Sequence, residues 1–335
     1  MPKKTLEADA VHPAAVKAAR TNFGMDTPLP KDVTLVTYSE LDTYRQCPLK
    51  HQWSYLDRWR AEPKDGSALK LGGLYHNVME CHYWLIRMYP GITLKQLMDF
   101  ALKYWLTDPQ SGEISEDQEL VRWMYEGYLE YYGKDKDWEL VSIEQAGRVR
   151  LPNPSGGRSK FCLQFKVDLI VKDTRGIWLV DHKTAQNFSR EAEIEIDDQF
   201  GLYTWALRKL GIPILGTLRS DARKQRNKGP MALDTRFKRV PTFRTDKELE
   251  NIALDAYKTA HAAYRKDAIV HSSPAPDRCV WRCDYRNQHL LVRKGFDVAL
   301  TMRDFGMEQT AEKHREYGES EVVAAIRSGR IGAPE

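Results

Sequence analysis

From Phe165 to Thr184 the sequence reads FKVDLIVKDTRGIWLVDHKT, and this stretch restricts the fold more tightly than any other. Two apolar runs flank the turn-like Asp173-Thr174-Arg175-Gly176, the pattern of an antiparallel β-hairpin. If those residues form the loop, Lys172 pairs with Ile177, and counting back along both strands sets Asp168 opposite Asp181. Strand alternation puts Lys183 on the face of Asp181. Directly opposed side chains have Cβ atoms about 5 Å apart, and like charges at that spacing repel. Two carboxylates so placed between apolar runs require a shared proton or a cation. A hard divalent ion, Mg²⁺ or Mn²⁺, suits carboxylate and water ligands, and Lys183 beside it would hold or polarise a bound water. The competing reading is an edge hairpin whose charges face solvent.

The rest of the chain supplies the layers around such a hairpin. Residues 72–135 read as helical, with Tyr75, Val78, Met79, Tyr83, Leu85 and Ile86 in a stripe and further helices near 93–107 and 116–132. An earlier short helix, with Ser39 as N-cap, ends before Pro48. Strands are expected over 138–151, 160–172 and 176–183, followed by a helix over 197–210 and a strand over 214–218. A basic run then contains Arg219, Arg223, Lys224, Arg226 and Lys228. A strand near 236–243 and a helix near 245–266 precede the Cys279/Cys283 region and a C-terminal helical tail over 291–335. Residues 1–32 read as a loosely attached arm. Helices followed by a strand cluster with one interposed helix indicate an α/β core carrying an N-terminal helical insertion.

Composition narrows the setting. The chain has 335 residues, 42% hydrophobic and 29% charged, enough for a substantial core. No apolar run reaches the length of a membrane span, and MPKKTLEADA lacks the apolar segment of a signal peptide. A cytoplasmic location without membrane partners is therefore expected. The five cysteines, Cys47, Cys81, Cys162, Cys279 and Cys283, are an odd number that argues against a disulfide framework and leaves metal ligation open. Cys81 and Cys162 lie in apolar helical and strand contexts and read as core residues. The net charge of +4 permits a nucleic-acid partner without demanding one.

Asp168 followed by Asp181-x-Lys183 at a strand end resembles the PD-(D/E)XK nuclease superfamily. Further motifs resemble its RecB-like branch, which includes the CRISPR-associated four-cysteine exonuclease and related phage nucleases. LGGLYHNVME carries Gly72-x-x-x-His76, QFGLY carries Gln199-x-x-x-Tyr203, and YSELDTYRQCPLKHQW places Cys47 at the branch's N-terminal cysteine. The resemblance runs from about residue 37 to 290 and implies a nuclease domain over 33–290. That domain has a helical insertion (72–135), a restriction-endonuclease-like catalytic core with a central mixed sheet (137–243) and a C-terminal cysteine-containing, metal-cluster segment (269–290). It implies that His76, Asp168, Asp181 and the His182 carbonyl bind metal, that Lys183 orients the attacking water, and that Gln199 and Tyr203 contact substrate or the lysine. On residues alone, His76 could equally be a satisfied core histidine, although Gly72-Gly73 allow close backbone approach, and Gln199/Tyr203 could lie on an ordinary amphipathic helix.

The resembling nucleases join their N-terminal cysteine to three C-terminal ones around an iron–sulfur cluster. Here PDRCVWRCDYRNQHL offers Cys279 and Cys283, while the fourth position falls on His289. Three thiolates and an imidazole suit a 4Fe–4S cluster or, as the alternative, zinc. Such a centre would close a loop of more than 230 residues between Cys47 and Cys279. The resemblance implies a DNA exonuclease acting on single strands or duplex ends in recombination, repair or phage DNA processing, in the host cytoplasm if phage-encoded. Alternatives are a silent DNA-binding subunit of a recombination complex and a restriction-type endonuclease. The basic run could track phosphates. Trp53, Tyr55 and Trp59, near Arg58 and Arg60, could stack bases, with packing in the core as the simpler role.

Overall fold

In the computed structural model, which describes residues 23, 25, 28–60, 68–108, 111–224, 231–311, 313 and 320–328, the hairpin closes as counted. Lys172 pairs with Ile177. Asp173 caps the turn, its Oδ1 accepting the backbone N–H groups of Arg175 and Gly176. The strands are β1 (Thr34–Val36), β2 (Trp59–Arg60), β3 (Glu139–Arg150), β4 (Phe161–Lys172), β5 (Ile177–Ala185), β6 (Ile214–Arg223), β7 (Phe237–Thr242) and β8 (Glu308–Gln309). The α-helices are α1 (Tyr38–Gln46), α2 (Pro48–His51), α3 (Ala68–Met88), α4 (Leu94–Tyr104), α5 (Glu116–Tyr131), α6 (Glu191–Glu195), α7 (Asp198–Lys209), α8 (Asp246–Ala263), α9 (Pro276–Trp281), α10 (Arg286–Val292), α11 (Val298–Asp304) and α12 (Glu321–Arg327). α1 begins two residues earlier than expected, because the Thr37 hydroxyl, not Ser39, caps it by accepting the N–H of Glu40.

Six strands form one mixed sheet in the order β1-β4-β5-β6-β7, with β3 on the other edge of β4. β1 runs parallel to the first residues of β4, whereas β5 pairs antiparallel with its last four. The stretch between, Gln164 to Asp168, therefore has no strand partner on that edge. Alternation also slips there. Leu163, Phe165, Val167 and Ile170 pack on one face with Leu202 and Ala206 of α7 and Leu249 and Ala253 of α8. Leu169 and Val171 pack on the other, with Tyr75, Met79 and Tyr83 of α3 and Tyr128 of α5. Gly201 permits the approach of α7 to α8, since a Cβ there would lie 2.4 Å from Ile252 Cδ1. Gly72 and Gly73 serve no such purpose: a Cβ on either would meet at most Thr184 Oγ1, at 3.8 Å.

The N-terminal arm expected over 1–32 lies almost wholly outside the described residues, but the Phe23 carbonyl accepts the N–H of Arg148 in β3. The region read as a C-terminal tail packs back onto the rest: β8 pairs with β2, Met302 and Met307 pack with Trp53 and Trp59, and Val322 of α12 is buried in the core with α3. Among the described residues no helix is long and apolar enough to cross a membrane.

Behind β5 lies a buried polar network. Asp135 accepts hydrogen bonds from Tyr83 and Tyr128 and ion-pairs with Arg239 at 2.7 Å. The Arg239 guanidinium stacks over Tyr132 and Trp138. Removing one member of such a pair leaves a buried charge uncompensated, a loss of about 3–5 kcal/mol.

His82, beside this network, has Nδ1 3.0 Å from the Tyr125 hydroxyl. Burial pushes its pKa down from 6.5 to about 4. The unfolded chain thus binds a proton there at a higher pH than the folded one, so stability rises with pH between about 4 and 6.5. At pH 5 the expected loss from this group is about 2 kcal/mol. Urea unfolding at pH 7 and pH 5 should show a pH dependence about 2 kcal/mol smaller in His82→Gln than in the wild type. Identical slopes would reject the assignment.

Candidate active site

Three elements converge where the strands part. Register places Glu144 of β3 across from Asp168 of β4, between the pairs Ile143–Leu169 and Gln145–Val167. Glu144 has φ +47°, a left-handed conformation that costs a side-chain-bearing residue strain and often marks a functional position. From α3, His76 reaches Asp168, with Nδ1 3.5 Å from Oδ2. Ligand atoms of His76, Glu144 and Asp168 all lie within 4.8 Å of one another. An imidazole and two carboxylates at that spacing can hold a divalent ion. Lys166 ion-pairs with Glu144 at 2.7 Å.

The hairpin acids are arranged differently from the expectation. The β4–β5 ladder ends at Leu169–Val180, and beyond it Asp168 Oδ2 accepts the N–H of His182 at 2.8 Å. Asp181 is not in the group with metal-ligand spacing. Its oxygens lie 3.0 and 2.8 Å from Lys183 Nζ. The repulsion anticipated between Asp168 and Asp181 is thus answered by the lysine on the same strand face. The His182 ring points to the opposite face, stacking on Tyr83 at 5.7 Å, and burial pushes its pKa down to about 3. Lys183 Nζ lies over Phe200 of α7. On the same helix Gln199 Nε2 donates to Tyr203 Oη at 3.5 Å, so the two motif residues sit beside the lysine.

Electrostatics follow this packing. Burial opposes ionisation of Asp168, but His76, Lys183 and His182 outweigh it and hold the carboxyl below the usual range. Burial would lower the His76 pKa, yet Asp168 and Glu144 push it up to about 9. Burial raises Asp181 to about 6, against the pull of Lys183. Burial and Asp168 also raise Glu144. One turn along α3 from His76, buried Glu80 accepts a hydrogen bond from Ser320, and burial with the Glu144 charge raises it to about 8. Neither Glu144 nor Glu80 is visible as a site residue from hairpin counting. Glu144 becomes one only through the β3–β4 register, across a connection too long to count over.

The second set of expected ligands also comes together. Cys47, Cys279, Cys283 and His289 all line one cavity, with Lys50, Arg278 and Arg282 at the same cavity. Cys279 Sγ accepts the N–H of Ala275 at 3.4 Å, and burial raises the Cys283 thiol. Among the described residues no three of these groups gather to within 4.8 Å, the spacing that suits a single ion such as zinc. Cys81 and Cys162 are buried in the core as expected. Trp53, Tyr55 and Trp59 are 4%, 8% and 4% exposed, so they pack and are closed to bases. In the basic run Arg219 pairs with Asp221 and Arg223 lies over Phe188, while Arg226 and Lys228 lie outside the described residues.

A family model described as the PD-(D/E)XK nuclease superfamily matches residues 35–288. Among solved structures the chain is similar to a "putative exonuclease" from Eubacterium rectale, at 14% identity over 75% of this chain and 86% of that one, with a TM-score of 0.44. It is also similar to SSO0001, at 9% identity over 81% and 94% of the two chains, with a TM-score of 0.33. No curated protein matches the sequence significantly.

If His76, Glu144 and Asp168 form the ligand set, Mn²⁺ should raise the Tm of the wild type by binding the folded state. Glu144→Gln and Asp168→Asn should each weaken that response at least about tenfold in Mn²⁺ concentration, as loss of one charged ligand implies. An undiminished response in Glu144→Gln would remove Glu144 from the set.

Proposed function

Because the chain belongs to the PD-(D/E)XK nuclease superfamily, we propose that it is a Mg²⁺- or Mn²⁺-dependent deoxyribonuclease of the RecB-like branch. Its substrate on this reading is DNA, attacked from single strands or duplex ends in recombination, repair or phage DNA processing. The observation that carries the reading is the convergence of His76, Glu144 and Asp168 at ligand spacing, next to the buried Asp181–Lys183 pair. Two carboxylates and one imidazole fit a divalent ion of this type, and His76, Glu144 and Asp168 are the residues that would hold it, with Asp181 and the His182 carbonyl as further candidates. Bound there, the ion would supply an activated water and charge stabilisation at the phosphate.

The chain's own residues do the rest. Asp181 keeps Lys183 protonated and fixed in place, its pKa raised by Asp181 and Asp168 against burial. That ammonium would orient the attacking water and neutralise charge developing on the phosphate. The backbone N–H of His182 fixes one oxygen of Asp168, which aims the other. Gln199 and Tyr203 flank the lysine and would contact substrate or steady the ammonium.

The cavity lined by Cys47, Cys279, Cys283 and His289 supports a second part of the proposal, a structural metal centre joining the two ends of the domain. Three thiolates and an imidazole around one cavity would suit a 4Fe–4S cluster or, as the alternative, zinc.

End-labelled linear and circular DNA incubated with Mn²⁺ or EDTA test the activity. The expected result is Mn²⁺-dependent shortening of linear DNA, lowered about 100-fold or more in Lys183→Ala. Cleavage of circular DNA would overturn the exonuclease reading, and no metal-dependent cleavage would favour a silent DNA-binding subunit. For the cysteine centre, anaerobically purified protein should absorb visible light and lose that absorbance in Cys279→Ser. A colourless protein with stoichiometric zinc would reject iron–sulfur.

A further inference from the structure

Trp281 is 82% exposed, whereas the other eight of the nine tryptophans are buried or half-buried. It ends α9, between two cysteines that both line the thiol cavity. Cys279 and Cys283 turn inward, so the indole between them stands outward. Its neighbours Arg278 and Arg282 are exposed, as are Arg286, Arg293 and Lys294. Residues 276–294 carry these five cations against two acids, Asp277 and Asp284. Among the described residues none of the five cations has a carboxylate partner. Arg278 donates to the Gln46 carbonyl and Arg286 to Asn287. This differs from the basic run at β6, where Arg219 is already neutralised by Asp221.

The position of α9 relates it to the active site. Gln46, which Arg278 touches, is the last residue of α1. Arg45 beside it bonds Asp198 at 3.2 Å, the residue before Gln199. α9 thus meets the C-terminal end of α1, and that same end bonds the residue preceding Gln199. An exposed indole flanked by unpaired guanidinium groups has the chemistry that recognises a base and its adjacent phosphates in single-stranded nucleic acid. A double-stranded segment, with its bases stacked on one another, offers it nothing comparable.

We propose that Trp281, flanked by Arg278 and Arg282, is a stacking platform for an unpaired base of the DNA strand whose phosphodiester enters the His76–Glu144–Asp168 site. The proposal rests on the nuclease reading for the identity of the strand. The platform holds the single strand while Lys183 and the acids act on it, so it sets strand preference and not chemistry.

Fluorescence anisotropy of labelled oligo(dT) with full-length protein in EDTA tests this without cleavage. Trp281→Ala should weaken binding about 5- to 150-fold, the loss of one stacked base, while Trp281→Phe keeps most of the affinity. An abasic strand of equal length should bind the wild type about as weakly as oligo(dT) binds Trp281→Ala. An unchanged Tm for Trp281→Ala would show that the fold is intact. Equal oligo(dT) binding by wild type and Trp281→Ala, or equal binding of abasic and normal strands, overturns the platform and leaves the indole to a protein partner. The two readings fail separately. Trp281-dependent binding without metal-dependent cleavage removes the nuclease and keeps the platform, and cleavage with Trp281-independent binding does the reverse.

Discussion

Strand β4 has to serve three neighbours, and the site is a consequence of that demand. β3 takes one whole edge, while β1 and β5 take opposite ends of the other. Between them the edge is open, and at Asp168 the alternation of side chains slips from one face to the other. There carboxylates from β3 and β4 meet a histidine from α3, and Glu144, across from Asp168, has a left-handed backbone.

Charge compensation is the second organising constraint. Asp168, Glu144 and Asp181 lie close together and largely shielded from water, and each has a cation within reach: His76, Lys166 and Lys183 respectively. Without a bound metal these pairings make the cluster tolerable in a low-dielectric interior. They also explain why the shifts diverge. Asp168, with His76 and a backbone N–H, is held down, whereas Asp181 is raised by burial despite its lysine. On the far side of β5 the Asp135–Arg239 pair and its tyrosines pack against the His182 ring, so the strand carrying Asp181 and Lys183 is clamped on both faces.

How much could be read in advance depended on the distance over which register must be counted. The β4–β5 pairing was legible because a four-residue loop, Asp173–Gly176, leaves no freedom in the count, and Asp181 and Lys183 share a face for the same reason. The expected opposition of Asp168 and Asp181 failed at its last step, because the ladder ends at Leu169–Val180 and the strands diverge. Glu144 was invisible. Residues 151–160 separate β3 from β4, and no counting across such a connection predicts which acid faces Asp168. The tryptophans behave likewise: Trp53, Trp59 and Trp281 all lie near arginines in sequence, and the first two are buried in a cluster with Tyr285, Met302 and Met307.

The sequence by itself determined the main elements, the hairpin register and the chemical types available: an acid-rich strand pair, a lysine two residues from an aspartate, and an odd set of cysteines. Local periodicity and loop length suffice for these, since they act over a few residues. Tertiary structure decided which acids share a site, which cation answers each, and which indole faces water. Those depend on where non-local strands and helices come to rest, a choice made by burial of the two apolar faces of the sheet and not by any neighbouring residue.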